Sequence, residues 1–277
     1  MLSNIAYIGY GFVGKACHEQ FKNNVPAIIV DPKVSLLTTK DLAQHTVELI
    51  FVAINAPTVS DGTVNTSIIH QIFADLVAIN YTGIVVLKST VPPLQCEEFA
   101  TLYPSLRYIY SPEFLREATW AQDALHPSQM ILAGDISDCM ELKYYYLTYS
   151  HVSNDTKWTI GIHYTVASLL KYTINCYLAS KVTFMNQIHE LVGDISNDGP
   201  TDTYWTQFTQ LLANEPRFGS SHLRVPGLDG QFGYGGSCFP KDVKAMIGFD
   251  TKSRMSVLRE TEIANTHARL KGKVDKN

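Results

Sequence analysis

Short apolar runs alternate with amphipathic stretches through about residue 135 of this chain. The apolar runs predict strands over 4–8, 27–30, 49–53, 83–87, 107–110 and 129–133. Helical spacing lies between several of them, as over 12–22 and 66–79. Strands separated by helices of that length imply right-handed crossovers and an α/β fold, a doubly wound parallel sheet. The pattern changes after about residue 149. One long helical stretch without proline covers 163–192, a second covers 201–212, and 254–271 forms a last helix with apolar Val257, Leu258, Ile263 and Ala264. Between them, 215–236 is a glycine-rich loop holding Pro216 and Pro226. The expected organisation is a doubly wound sheet domain over 1–150 and a mainly helical domain over 151–277, built on a long central helix.

The turn after the first strand, Gly9-Tyr10-Gly11-Phe12-Val13-Gly14, fits G-x-G-x-x-G. A strand before it, a helix after it and Asp31 closing the next strand give the match its weight. Gly9 permits the tight turn, Gly11 lets backbone approach a pyrophosphate, and Gly14 allows close helix–strand packing. The helix N-terminus, with Phe12 and Val13, then faces the phosphates. Asp31 accepts hydrogen bonds from ribose hydroxyls and repels a 2′-phosphate, which favours NAD over NADP. The sheet is therefore expected to be of the Rossmann type. Two further stretches sit at strand ends, where open sheets bind ligands: Ile54-Asn55-Ala56-Pro57-Thr58 and Lys88-Ser89-Thr90-Val91-Pro92. Asn55, Pro57, Ser89 and Thr90 are candidate cofactor contacts, Thr90 also as a partner for a catalytic water. For either stretch taken alone, a turn-capping hydroxyl before proline is the favoured reading.

Composition narrows the function classes. The 277 residues are 45% hydrophobic and 17% charged, a globular composition, and the net charge of −4 argues against backbone-neutralising contact with nucleic acid. The basic residues Arg269, Lys271 and Lys273 near the end read as a solvated, frayed tail. Five cysteines without ligand spacing imply neither a disulfide framework nor a metal site, and a reducing compartment fits a free thiol. With no leader sequence and no apolar run long enough to span a bilayer, a cytoplasmic protein without membrane partners is expected.

The chemistry-bearing segment is Gly233-Tyr234-Gly235-Gly236-Ser237-Cys238-Phe239-Pro240-Lys241-Asp242. If Pro240 opens a helix, Cys238 sits at the positive end of a helix dipole, which favours thiolate. Three polar pairs share i,i+4 spacing: Glu113 with Glu117, Lys171 with Asn175, and Cys238 with Asp242. Each pair shares one helix face if its segment is helical. Lys171 and Asn175 interrupt an apolar run, where a lysine either snorkels to solvent or, buried, stabilises an oxyanion or exchanges a proton.

Taken together, Gly9 to Gly14, Ser89-Thr90-Val91-Pro92, Ser111-Pro112-Glu113-Phe114-Leu115-Arg116-Glu117, Lys171 with Asn175, Arg217-Phe218-Gly219 and Gly233 to Asp242 resemble the UDP-glucose/GDP-mannose dehydrogenase family. The segments come in the family's order and cover nearly the whole chain. The resemblance implies oxidation of the C6 alcohol of a nucleotide sugar, with UDP-glucose the expected substrate, to a carboxylate, using two NAD⁺ in sequence. It implies that Cys238 carries a thiohemiacetal and then a thioester, while Lys171 and Asn175 hold the oxyanion. Glu113 would assist thioester hydrolysis, with Thr90 and Asp242 positioning water or tuning proton transfers. Glu117 would border the nicotinamide. Glu113, Phe114, Leu115, Arg116, Lys171, Asn175, Phe232, Gly233, Tyr234 and Gly235 would line the substrate, and Arg217 would reach it from the facing subunit of a homodimer.

Members of that family continue past their long connecting helix into a second α/β domain, so against the resemblance a compact form lacking that domain is expected here. Ala56 and Pro93 replace a usual threonine and a frequent glycine. Two other readings stay open. One is an NAD-binding, non-catalytic module that pairs with a full-length homologue. The other is a two-electron β-hydroxyacid-type dehydrogenase, in which Cys238 is incidental.

Overall fold

The computed structural model describes residues 2–59, 62–196 and 201–274. Its chain divides into two compact units, Met1–Val59 with Val64–Lys171, and Ser60–Thr63 with Tyr172–Asn277.

In the first unit the apolar runs form strands β1 (Ile5–Ile8), β2 (Ala27–Val30), β3 (Leu49–Val52), β4 (Ile84–Leu87), β5 (Arg107–Tyr110) and β6 (Gln129–Ala133). A further strand, β7 (Lys157–Ile162), completes a sheet of order β2-β1-β3-β4-β5-β6-β7 among the described residues. Neighbours from β2 through β5 are parallel, and β6 runs antiparallel to β5 but parallel to β7. Every residue of β1, β3 and β4 is buried, because helices cover both faces of a parallel sheet. The covering helices are α1 (Phe12–Phe21), α2 (Ser67–Ala78), α3 (Pro93–Leu102), α4 (Trp120–Leu125) and α5 (Ile136–Tyr149).

Strand β7 lies in the stretch that the sequence pattern assigned to the helical part, and the first compact unit accordingly runs to Lys171 rather than to 150. Its residues alternate between exposed and half-buried, with Trp158 and Ile160 packing on the core of Tyr7, Phe21, Phe51 and Tyr146. Alternation of that kind suits an edge strand with one covered face. Phe51 at the centre stacks on Tyr7 with ring centroids 5.6 Å apart and meets Phe21 at 5.9 Å.

Helix α6 (Tyr164–Ile195) begins in the first unit. There Tyr164 donates its hydroxyl to Tyr108 O (2.9 Å) and Ser168 donates to Val91 O (2.6 Å). The second unit contains the rest of α6 together with α7 (Thr201–Ala213), α8 (Phe239–Phe249) and α9 (Ser256–Val274). Its core gathers Met185, Val192, Trp205, Leu223 and Val225. Buried Lys181 ties the long loop to α6, donating to Phe218 O (2.8 Å) and Gly219 O (3.2 Å) beneath the Phe218 ring.

The β1–α1 turn is tightly packed against its own backbone. Gly9 has φ +87°, in the left-handed region. A Cβ on Gly14 would stand 2.1 Å from the carbonyl oxygen of Gly9, whereas one on Gly11 would meet nothing within 4 Å. Gly14→Ala is therefore expected to lower unfolding stability by about 1–3 kcal/mol. Gly11→Ala should stay within about 0.5 kcal/mol of the parent, as substitutions clear of packing do. Urea titrations followed by circular dichroism check the contrast.

Candidate active site

The dinucleotide turn of the first unit has the features its sequence pattern implied. Gly11 is exposed and caps α1 without a side-chain bond to the helix, so the first backbone N–H groups of α1 are left to an outside acceptor. Asp31 follows β2 directly. Its carboxylate accepts from Tyr10 N (2.7 Å) and Lys33 N (2.8 Å), and these two bonds hold its carboxyl below the ordinary aspartate range. An anionic group is thus fixed beside the glycine turn. Open space over Gly11, uncapped helix N–H groups and a pre-set carboxylate together fit an adenine dinucleotide.

The loops after β3 and β4 are linked to each other, Ser89 donating its hydroxyl to Ile54 O at 2.7 Å. That bond occupies the Ser89 hydrogen and leaves half-exposed Thr90 next in line, with Asn55 and Pro57 exposed on the other loop.

The segment after β5 departs from the expected geometry. Residues 111–116 are irregular, and a 3₁₀ turn spans Glu117–Thr119, so Glu113 and Glu117 do not share a helix face. Pro112 supplies the reason, since it cannot donate to a helical ladder and biases Ser111 toward extended backbone. The side chain of Glu117 lies outside the described residues. Glu113 is held at both ends: Lys171 Nζ donates to its carbonyl at 2.5 Å, and its carboxylate forms an ion pair with Lys88. Lys171 is buried, with its ammonium 5.4 Å from the centroid of Phe114, and does not snorkel to solvent. Leu115 is half-buried, while exposed Arg116 pairs with Asp123 at 2.6 Å.

In the second unit α8 starts at Phe239 with Pro240 in its first turn, and Cys238 is its N-cap residue. Asp242 N donates to Cys238 O at 2.9 Å, which confirms the expected one-turn spacing. Asp242 is buried and accepts from Asn175 Nδ2 at 2.5 Å, and it pairs with Lys241. Cys17, Cys96, Cys139 and Cys176 are all buried; Cys238 is not. Burial pushes the thiols of Cys17 and Cys176 up to about 12 and raises those of Cys96 and Cys139. Of the five, Cys238 alone combines access with a helix N-terminus.

The stretch before Cys238 is fixed by residues that the sequence reading passed over. Gly233 N donates to Asn186 Oδ1 (2.8 Å), and Tyr234 N donates to Asn265 Oδ1 (2.6 Å). Arg269, expected in a frayed tail, instead donates to Tyr234 O (2.9 Å) and pairs with Asp229 (2.6 Å). Its guanidinium packs so closely on Gly235 that a Cβ there would lie 1.9 Å from it. Phe232 packs on the second unit's core. Arg217 is 89% exposed and paired only locally, with Glu215 at 2.7 Å. Among the described residues no group of His, Cys, Asp and Glu side chains is arranged to hold a metal ion, and no helix is long and apolar enough to cross a membrane.

In sequence the chain is similar to known proteins of one family. The NAD-binding-domain model of the UDP-glucose/GDP-mannose dehydrogenase family matches residues 25–149, and its central-domain model matches residues 165–267. A putative UDP-glucose 6-dehydrogenase of Bacillus subtilis is 31% identical over 206 residues, which cover 72% of this chain and 45% of that one. The UDP-glucose 6-dehydrogenase of Streptococcus pneumoniae is 27% identical over 79% of this chain and 54% of its own. The chain thus spans about half the length of these relatives. Among solved structures, a UDP-glucose dehydrogenase from Pyrobaculum islandicum superposes with a TM-score of 0.78 at 21% identity, covering 96% of this chain and 68% of that one. A 3-hydroxyisobutyrate dehydrogenase of Mycobacterium tuberculosis shares the fold at a TM-score of 0.68 and 14% identity, over 97% and 96% of the two chains. The glycine turn with Asp31, the Ser-Pro-Glu-Phe-Leu loop and the cysteine at the head of α8 all fall in a chain that belongs to the UDP-glucose/GDP-mannose dehydrogenase family.

Proposed function

We propose that this chain oxidises the C6 alcohol of a nucleotide sugar, UDP-glucose by preference, to the carboxylate. The observation that carries the reading is Cys238. It is the accessible thiol of the chain, set at the N-terminus of a helix, with the Asp242–Asn175 hydrogen bond one turn away.

NAD⁺, held by the glycine turn and Asp31, would supply the hydride acceptor for each of two oxidations at C6, and the hydroxyl proton lost in each would pass to solvent. The chain's own groups do the rest. The Cys238 thiolate adds to the aldehyde from the first oxidation, giving a thiohemiacetal whose oxygen carries developing negative charge. The Lys171 ammonium and the Asn175 amide stabilise that oxygen. The second oxidation leaves a thioester on Cys238. Water then attacks its carbonyl carbon, with Glu113 taking the proton and Thr90 orienting the water, and the thiolate departs. Asp242, buried between Asn175 and Lys241, keeps the Asn175 amide in one orientation. In this reading Phe114, Leu115 and Tyr234 flank the sugar nucleotide, and Gly9, Gly11, Gly14, Asp31 and Glu117 serve the dinucleotide.

Exposed apolar residues on α6, namely Tyr177, Phe184 and Leu191 at seven-residue spacing and then Ile195, support pairing of two copies through this helix. Arg217 is exposed enough to serve a neighbouring copy's substrate. Phe184→Glu should convert a dimer to monomers in multi-angle light scattering; an unchanged mass would remove α6 from the interface.

The two-electron alternative rests on the fold shared with the hydroxyisobutyrate enzyme, and product counting separates the two. With NAD⁺ and UDP-glucose the chain is expected to release two NADH per sugar consumed. Cys238→Ser should lower turnover by at least about 100-fold, the scale of losing a catalytic nucleophile. One NADH per substrate, undisturbed by the substitution, would establish the simpler chemistry.

A further inference from the structure

The proposed mechanism gives no role to Lys88, yet this residue has an unusual position. Its backbone N–H continues the ladder beyond β4, donating to Val52 O at 2.8 Å, and Ser111 N does the same beyond β5, donating to Leu87 O at 3.0 Å. These bonds put Lys88 and Ser111 side by side at the carboxyl-terminal edge of the sheet. The Lys88 side chain is fully buried; its Nζ donates to the Ser111 hydroxyl at 2.9 Å and forms an ion pair with the Glu113 carboxylate. Glu113 itself keeps 13% of its side chain exposed, so the pair is closed on the lysine side and open on the carboxylate side.

Stability alone is a weak reason for such an arrangement. Removing an ammonium from water is costly, and a well-packed apolar side chain often serves a core as well or better. A buried cation does, however, fix the direction of the anion it holds, and the bonds at the two ends of the 111–116 loop, Ser111 N to Leu87 O and Arg116 to Asp123, do not reach the Glu113 carboxylate. No helical ladder orients this stretch. Its main chain is fastened by Lys171 at the Glu113 carbonyl, and its functional carboxylate by Lys88. Lys88 has no exposed side-chain surface with which to touch a substrate, so it acts through Glu113.

We propose that Lys88 is a positioning residue for hydrolysis of the Cys238 thioester, holding the Glu113 carboxylate in the orientation from which it accepts the proton of the attacking water. The proposal rests on the reading of Glu113 given above. It predicts an asymmetric defect: without Lys88 the carboxylate turns away, toward the Lys171 ammonium that already contacts its own carbonyl. The oxidations, which do not use the carboxylate, continue until the thioester forms.

The test compares the 277-residue chain as wild type, Lys88→Met, Lys88→Gln and Lys88→Arg. Crystal structures report the Glu113 carboxylate directly and do not depend on turnover. It should leave its site in the Met and Gln variants and keep it in the Arg variant. If the Met variant fails to fold, the Gln variant decides the matter, since its amide still reaches toward Ser111 but carries no charge. Stopped-flow mixing with NAD⁺ and UDP-glucose then resolves the steps. The Met or Gln variant should retain the NADH burst within about twofold while steady-state release falls about 100-fold, the size of effect that an ångström-scale misplacement produces. Arginine should restore most of that loss. A Glu113 carboxylate that stays in place without Lys88, or a burst and steady state that fall together, overturns the proposal. A wild-type chain that reduces no NAD⁺ with any nucleotide sugar would instead overturn the reading of the reaction, leaving the crystallographic comparison to decide the orienting role.

Discussion

A carboxylate placed where water cannot reach it must find its partners inside the protein, and Asp242 has done so. Its bond to Asn175 fastens the first turn of α8 to α6, and its backbone N–H closes that turn on the Cys238 carbonyl. The place of the accessible thiol follows from this one buried anion. Removing either partner would leave an unsatisfied group in the interior and free the helix start that presents Cys238. The approach to Cys238 is equally constrained, because Asn186, Asn265 and Arg269 take up the backbone groups of residues 233 and 234. The glycines there make room for close contact, as Gly235 does for the Arg269 guanidinium.

The first unit solves a different problem. Strands buried on both faces offer few polar side chains within the sheet, so chemistry collects at their carboxyl-terminal ends. The glycine turn follows β1, Asp31 follows β2, Asn55 follows β3, Lys88 to Thr90 follow β4 and Glu113 follows β5. One sheet edge therefore carries both the dinucleotide fingerprint and the charged pair of Lys88 and Glu113. The ladder bonds that extend β4 and β5 by one residue each bring that pair together.

Much of this was legible in the chain itself. Six apolar runs gave strands at the expected places because buried parallel strands must be continuously apolar, and the glycine spacing announced the turn because few other residues fit it. Cys238 and Asp242 were readable as a helical pair since Pro240 marks the helix start. Legibility ended where tertiary pairing decides. Strand β7 alternates weakly and carries a glycine, so only its neighbour β6 makes it a strand. Arg269 looks like part of a basic tail until Asp229 and the Tyr234 carbonyl, some 40 and 35 residues away in sequence, are brought to it. Spacing suggested a helix for Glu113 and Glu117, but Pro112 and the pull of Lys88 and Lys171 hold Glu113 in an irregular loop. Lys88 gave a signal that was available and unused: a lysine directly after an all-apolar strand is either exposed at once or buried with a partner.

The central claim is that the sulfur of Cys238 becomes bonded to the carbon being oxidised. Acid-quenching the chain during turnover with NAD⁺ and UDP-glucose, followed by peptide mass spectrometry, examines that bond itself. The account predicts an adduct on the Cys238 peptide equal to the substrate less four hydrogens, the composition of a thioester. Continued formation of the carboxylate with Cys238 unmodified at every quench time, and no loss of rate when serine replaces it, would contradict the account.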